Sequence, residues 1–489
     1  MVLASTICQI IVLVCGFILP PMLISSYGSE VNGLLSLVKQ MMSYFSIVCL
    51  GLGVSAQVAL YKPLAIKDWN KINSILTAAK RFYNTSGIIF LVLIILSAGI
   101  VPFVTNSNIA TQDIVLIILI TGIGSICEYV VVGKYRVILS ADQRQYIISK
   151  ITAEGILLNT IVIIVLIQFQ SHIVLIQTGA SLVYFMRLLA TIRYVKKHYP
   201  LISFSSDTPD FKSMENRWTA FSYQLSRIMI SLSPMLIVSF VGNLIDASVF
   251  SVYFMVISSL GMIAGVFSSG LQAPFGDIIA KDEVVTLRGS FSSFEFIYSL
   301  ILSISFACGA LLLPSFVESY IHNTDGVEYV LPVFSVMFCI YFFINNYRIP
   351  FTTLVEAKGL FKTNNKYNLI EAISFIVLSI IGVKFLGLLG LAVSGIITSL
   401  PRTIHYIVYT HNQFKGVIGV WRAILKGTLT IIVAVGLCLM LSPSTYSNVF
   451  EWLLHSLLYV LEVTIIITTL HILVDYKSFV SLIHRIIKK

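Results

Sequence analysis

Arg227, Lys39 and Glu128 each lie within or at the edge of a run of about twenty apolar residues, the length that crosses a bilayer as a helix. A charge at the centre of such a helix costs about 2.5–3.5 kcal/mol on the insertion scale, so it faces water or a partner. Arg227 shares a helical face with Gln224 and Ser231, and Pro234 follows on the same face. A guanidinium on this face offers two parallel hydrogen bonds to phosphate oxygens. Lys39 opens a second stripe, Lys39, Ser43, Ser46, Gly53 and Gln57, at helical spacing. Such a polar stripe suggests a water-filled lumen. Ser251, Ser258, Gly265, Ser269 and Gln272 repeat the pattern more weakly. Arg227, Lys39, Gln224, Gln57, Ser43, Ser231 and Gln272 are therefore the candidate substrate-binding residues. Glu128, on a face with Thr121 and Gly124 or Ser125, is the candidate coupling-ion site. Plainer alternatives stand beside these: Lys39 snorkelling to the outer interface, serines packing against neighbouring helices, and Glu128 neutralising Arg227.

Other charges carry less weight. Glu154, Glu295 and Glu371 fall near inner helix ends, where solvation is expected. Arg348, with Tyr341 and Asn345, is expected to snorkel from the inner end of its span. No catalytic set is present. Gly51-Leu52-Gly53-Val54-Ser55-Ala56 lies within a span with no strand before it, so it is not a nucleotide loop, and there is no Walker motif. The seven cysteines include no CxxC pair, and the eight histidines show no metal-ligand spacing. No metal, cofactor, disulfide or enzymatic activity is expected.

The elements that must hold these residues follow from composition. The 489 residues are 57% hydrophobic and only 11% charged, where soluble domains carry roughly 25% charged residues. The mean hydropathy is +0.93. These values exclude a soluble enzyme and predict an all-α polytopic membrane protein. About fourteen runs are long enough to span: 3–25, 36–60, 86–104, 113–133, 148–168, 173–194, 219–241, 248–273, 294–313, 329–349, 368–383, 388–409, 422–441 and 452–474. Pro20-Pro21 is expected to break or kink the first. An inner polar segment of about fifteen residues is expected between the second and third spans. With the N-terminus inside, all of the 32 Lys and Arg except Lys39, Lys384 and Arg227 lie at or near inner connections. That bias predicts two cytoplasmic termini in a cytoplasmic (inner) membrane. It also accounts for the net charge of +10 without a nucleic-acid partner.

The longest polar stretch divides the chain into a six-helix bundle (1–195), a linker (196–218), a second six-helix bundle (219–410), and two extra helices with a basic tail (411–489). The halves are related at an offset of about 216 residues, which places Glu30 on Asp246 and the segment 51–65 on 267–281. Two related bundles around a central cavity form a common transporter plan.

Three strings in the chain carry a family resemblance: YGSEVNGLLSLVKQMMSYFSIVCLGLGVSAQVALYKPLA (27–65), KYRVILSADQRQYI (134–147) and SVFSVYFMVISSLGMIAGVFSSGLQAPFGDIIAKDE (248–283). They resemble bacterial polysaccharide and O-antigen flippases, the Wzx group of the multidrug/oligosaccharidyl-lipid/polysaccharide exporter superfamily. The resemblance implies two six-helix bundles plus two helices, and movement of an undecaprenyl-pyrophosphate-linked oligosaccharide between leaflets for lipopolysaccharide or capsule synthesis. It implies a cationic lumen, which Arg227 and Lys39 would supply. It also implies membrane lipids, polysaccharide polymerase and chain-length proteins as partners. Ser233-Pro234 stands where many relatives carry an acidic residue in the seventh span. A cation-coupled multidrug exporter of the same superfamily is the alternative, and a membrane polysaccharide polymerase a more distant one that lacks the outer loop such enzymes use.

Overall fold

Hydrocarbon offers no water to bond a backbone, so an apolar chain crossing it must pair its own N–H and C=O groups, and a helix does so within one segment. The computed structural model describes residues 2–105, 107–205, 209–210, 217–268, 271–321, 326–414, 417, 419–441, 446 and 449–480. The side chains of 2–7, 50–55, 217–224, 226–227, 266–267, 273 and 361–363 lie outside the described set. Among the described residues, every regular element is a helix.

Residues Met1–Ser248 form one compact unit. It contains α1 (Val2–Phe45), α2 (Ile47–Ile66), α3 (Trp69–Val104), α4 (Thr111–Ile126), a π-helical turn (Cys127–Val131), α5 (Val132–Ala141), α6 (Gln145–Gln168), α7 (Ile173–His198) and α8 (Arg217–Val241). The expected break at Pro20-Pro21 does not occur: α1 runs through both prolines and departs from helical geometry at Gly28 (φ 82°, ψ 168°). Proline's fixed φ suits a helix, and membrane helices tolerate its missing donor. A positive φ is a conformation that only glycine adopts freely. Two membrane crossings are thus joined at Gly28. Within the unit, α1 packs on α6 and α8, and α2 packs on α3, α5 and α8. Leu34, Leu37, Val38, Phe90, Ile117 and Ile176 form the buried centre.

The third span also differs from expectation. The inner segment before it is helical and continuous with it, giving α3 36 residues, a length of about 54 Å against about 30 Å of hydrocarbon. Asp68 starts this helix by accepting a hydrogen bond from the Lys71 backbone N–H at 3.0 Å.

Residues Val249–Lys489 form the second unit. It holds most of α9 (Leu244–Ser268), then α10 (Gln272–Ala280), α11 (Val284–Tyr320), α12 (Pro332–Tyr347), α13 (Ile349–Ala357), α14 (Phe361–Leu386), α15 (Leu388–Gln413), α16 (Val420–Met440) and α17 (Val449–Val474). The repeat is visible in element lengths. The 37-residue α11 follows the 36-residue α3, and the 26-residue α15 follows the 26-residue α7, each at an offset of about 215. Eleven helices among the described residues are long and apolar enough to cross a membrane. The Gly28 break divides the first of them, while the described apolar part of α8 (Ile228–Val241) and the 16-residue α12 are shorter. With these, all fourteen expected runs fall on helices.

Glu295 and Glu371 are not solvated, contrary to expectation: each is buried. Lys426 of α16, fully buried, places Nζ 2.5 Å from Glu295 Oε1 of α11 and 3.6 Å from Asp475 Oδ2 just past α17. Arg422 Nη1 lies 3.0 Å from Asp475 Oδ1. These pairs fasten the last two helices to α11. Close packing does the same for α14 and α15: a Cβ at Gly390 would lie 1.9 Å from Gly382 O. Gly390→Ala should therefore lower the melting temperature of the detergent-purified protein, at a cost of about 1–3 kcal/mol. Gly99→Ala, where a Cβ meets nothing within 4 Å, should not. Equal melting temperatures for the two variants would contradict the packing described.

Candidate functional site

The second membrane crossing starts at the Gly28 break. Glu30 fixes that end, accepting from the Asn108 backbone N–H at 2.9 Å and from Asn108 Nδ2 at 3.0 Å in the loop between α3 and α4. Lys39 follows nine residues later, about 14 Å along the helix. That places Lys39 well inside the helix rather than at its end. Its side chain is exposed, and it makes no ion pair or hydrogen bond with the described residues. The next residue, Gln40, donates from Nε2 to Leu232 O of α8 at 3.4 Å. This contact joins α1 and α8 at one level and brings Lys39 and the exposed Ser231 to neighbouring positions on the two crossing helices. One and two turns before Ser231 on α8 stand Arg227 and Gln224, whose side chains lie outside the described set.

The rest of the Lys39 stripe is not a continuous polar face. A turn at Ser46 separates α1 from α2. Ser43, half-buried, donates to Lys39 O at 3.1 Å, and Ser46, buried, donates to Ser43 O at 2.7 Å. Each hydroxyl gives its donor to its own helix and keeps its acceptor lone pairs. Gln57, half-buried on α2, donates to Tyr61 Oη at 2.9 Å. Gln272 belongs to the second unit, exposed on the first turn of α10. The structure therefore groups Lys39 and Ser231 at one helix crossing, on the same two helices as Ser43, Gln224 and Arg227.

Glu128 has a different setting. It sits in the π-helical turn between α4 and α5, 7% exposed. It pairs with Arg136 of α5, and Arg187 Nη2 of α7 lies 3.1 Å from its Oε1. Arg187 Nη2 also donates to Thr152 Oγ1 of α6 at 3.0 Å. Sequence reading missed both arginines. On a regular helix, positions eight apart lie about 80° out of register. The extra residue of a π turn closes that gap, and the π turn leaves no signature in composition. Arg187 was legible: it stands fourteen residues into α7, about 21 Å from its start, too deep for an interfacial charge. In the second unit, Arg348 likewise does not snorkel; its Nη1 lies 2.6 Å from Glu371 Oε1.

The fold matches known structures. Superposed on the lipid II flippase MurJ in an inward closed conformation, the chain gives a TM-score of 0.72 at 15% identity, covering 96% of this chain and 99% of the other. An inward-facing multidrug resistance transporter of the MATE family in the MOP superfamily gives 0.63 at 12% identity, covering 83% and 94%. An outward-facing transporter of the same description gives 0.57 at 14% identity, covering 83% and 96%. The chain has the MurJ and MATE fold. No protein-family profile matches the sequence, and no curated protein is similar to it by sequence.

The α1–α8 crossing generates a test. In a cysteine-free background, a cysteine at position 39 should react with a membrane-impermeant, charged thiol reagent. One at Ile95, which is 57% exposed on α3 within an apolar run, should not. Lack of reaction at both positions would place Lys39 against lipid and remove it from a water-lined path.

Proposed function

We propose that this protein carries a polyprenyl-pyrophosphate-linked oligosaccharide across the cytoplasmic membrane by alternating access, supplying surface polysaccharide synthesis. The observation that carries this reading is Lys39, an accessible cation, unpaired among the described residues, about 14 Å below the outer end of its helix. Its fold-mate over nearly the whole chain is a lipid II flippase. Energetics agree with the substrate class. Each unpaired hydroxyl entering hydrocarbon costs about 4–8 kcal/mol on the cyclohexane scale, so an oligosaccharide needs a polar path while its lipid tail stays in the bilayer. A pyrophosphate needs cations, and Lys39 and Arg227 are the residues assigned to it. Ser231, Gln224 and Ser43 on the same two helices, with Gln57 on α2 and Gln272 in the second unit, are the donors and acceptors assigned to sugar hydroxyls.

The multidrug resistance transporters share this fold, but an exporter of cationic drugs would meet repulsion from Lys39. Glu128 was the candidate coupling-ion site. Its pairing with two arginines favours a charge-balancing role instead.

Deleting the gene should strand lipid-linked oligosaccharide on the inner leaflet. Lys39→Ala and Arg227→Ala, at matched membrane levels, should each lower export by about tenfold or more, the loss of one charge-assisted contact. The charge-keeping Lys39→Arg and Arg227→Lys should retain part of it. Unchanged polysaccharide in the deletion strain, together with greater sensitivity to cationic dyes, would reject the reading in favour of a drug exporter.

A further inference from the structure

At the end of the first unit that the charge bias assigns to the outside, α1 meets the first turn of α9. That turn, residues 244–248, belongs to the same unit. Asn32 Nδ2 donates to Ser248 Oγ at 2.7 Å, and both residues are buried. The two stand 216 residues apart, the offset of the internal repeat, so the contact joins equivalent positions of the two repeats. Gly33 lets the backbones approach: a Cβ there would lie 1.8 Å from Leu244 O and 3.2 Å from Ser248 N. Leu244 is buried in the same apolar cluster as Leu34, Leu37 and Val38 of α1.

This contact stands over Lys39. Asn32 and Lys39 are seven residues apart on a regular stretch of α1. Two turns bring them within about 20° of one face, with Asn32 about 10 Å nearer the outer end. The start of α9 also stays with the outer end of α8, because only Gly242 and Asn243 separate the two helices. Asn243 Oδ1 accepts from the Asp246 backbone N–H at 2.7 Å and caps the first turn of α9. α1 is thus held at two levels: Gln40 meets Leu232 O of α8 beside Lys39, and Asn32 meets Ser248 above it.

We propose that the Asn32–Ser248 pair, seated on Gly33, is a releasable seal that closes the path to Lys39 from the outer side. It parts when the site turns outward. Its chemistry suits a contact made and broken in every cycle. An ion pair such as Lys426–Glu295 leaves two charges behind when it opens, so it staples helices rather than gating them. An amide and a hydroxyl are neutral, and water entering the opened path satisfies both. Gly33 brings the backbones together without a side chain to interlock, so the faces separate without repacking. The seal rests on the alternating-access reading, though not on which cargo is carried.

Cross-linking tests it in the full-length protein in a cysteine-free background. Asn32→Cys with Ser248→Cys should form a disulfide on mild oxidation. When Lys39→Cys is added to the pair, oxidation should lower labelling of position 39 by an impermeant thiol reagent supplied outside by about tenfold or more, because the open state is removed. Labelling from the inner side, in inverted vesicles, should persist. With Lys39 in place, oxidation should stop export and reduction should restore it. Gly33→Ala, whose Cβ pushes the first turn of α9 away, should have the opposite effect and raise labelling from outside. No disulfide, equal outside labelling of the oxidised and reduced proteins, or undiminished export after oxidation would each overturn the seal. Labelling needs no cargo, so a reduced protein that moves no lipid-linked sugar would reject the cargo and leave the seal to be decided by position 39. If Gly33→Ala does not fold, the cysteine pair decides alone.

Discussion

A charge in hydrocarbon must be paired or wetted, and this structure is arranged around that constraint. Lys426 is fully buried and meets Glu295 and Asp475 from two other parts of the chain. Arg402 is buried and enclosed by Glu371, Asn368 and Tyr406. Such pairs add little beyond what apolar packing would give, but removing one partner costs about 3–5 kcal/mol. They therefore specify which helices meet. Lys39 follows the other route: it is unpaired among the described residues and exposed about 14 Å along its helix from Glu30. A charge kept at that depth without a partner is placed to meet something that passes.

Much of the fold was legible because hydrocarbon tolerates few solutions. Every expected span falls on a helix, since about twenty apolar residues with satisfied backbone can do little else. The repeat was legible for a related reason: duplicated bundles keep their helix lengths, as α3 and α11 do. The break in the first helix was misplaced because Pro20-Pro21 looked disruptive, whereas only Gly28 adopts the positive φ that a sharp redirection needs. The polar segment before the third span was read as a connection because polarity marks the membrane surface. A helix can continue past that surface into water, as α3 does.

The site was legible only in part. Lys39 was recognised as unusual, but its depth was not, because the helix begins seven residues before the apolar run that was taken as the span. Serine periodicity suggested a lumen, yet Ser43 and Ser46 bond their own backbone, which spacing alone does not reveal. Glu295, Glu371 and Arg348 look interfacial in one dimension and turn out to be paired in three. Pairing between distant helices is a property of packing that a single sequence encodes without displaying.

Transport of a lipid-linked headgroup is the claim on which the functional account stands. Its most direct measurement uses the purified protein reconstituted in sealed vesicles with a polyprenyl-pyrophosphate-linked oligosaccharide on one leaflet, following how fast the sugar becomes accessible to a lectin on the other side. The account predicts movement well above that of protein-free vesicles, and a fall to the protein-free rate with Lys39→Ala. Equal rates with and without the wild-type protein, under an imposed proton or sodium gradient as well as without one, would contradict it.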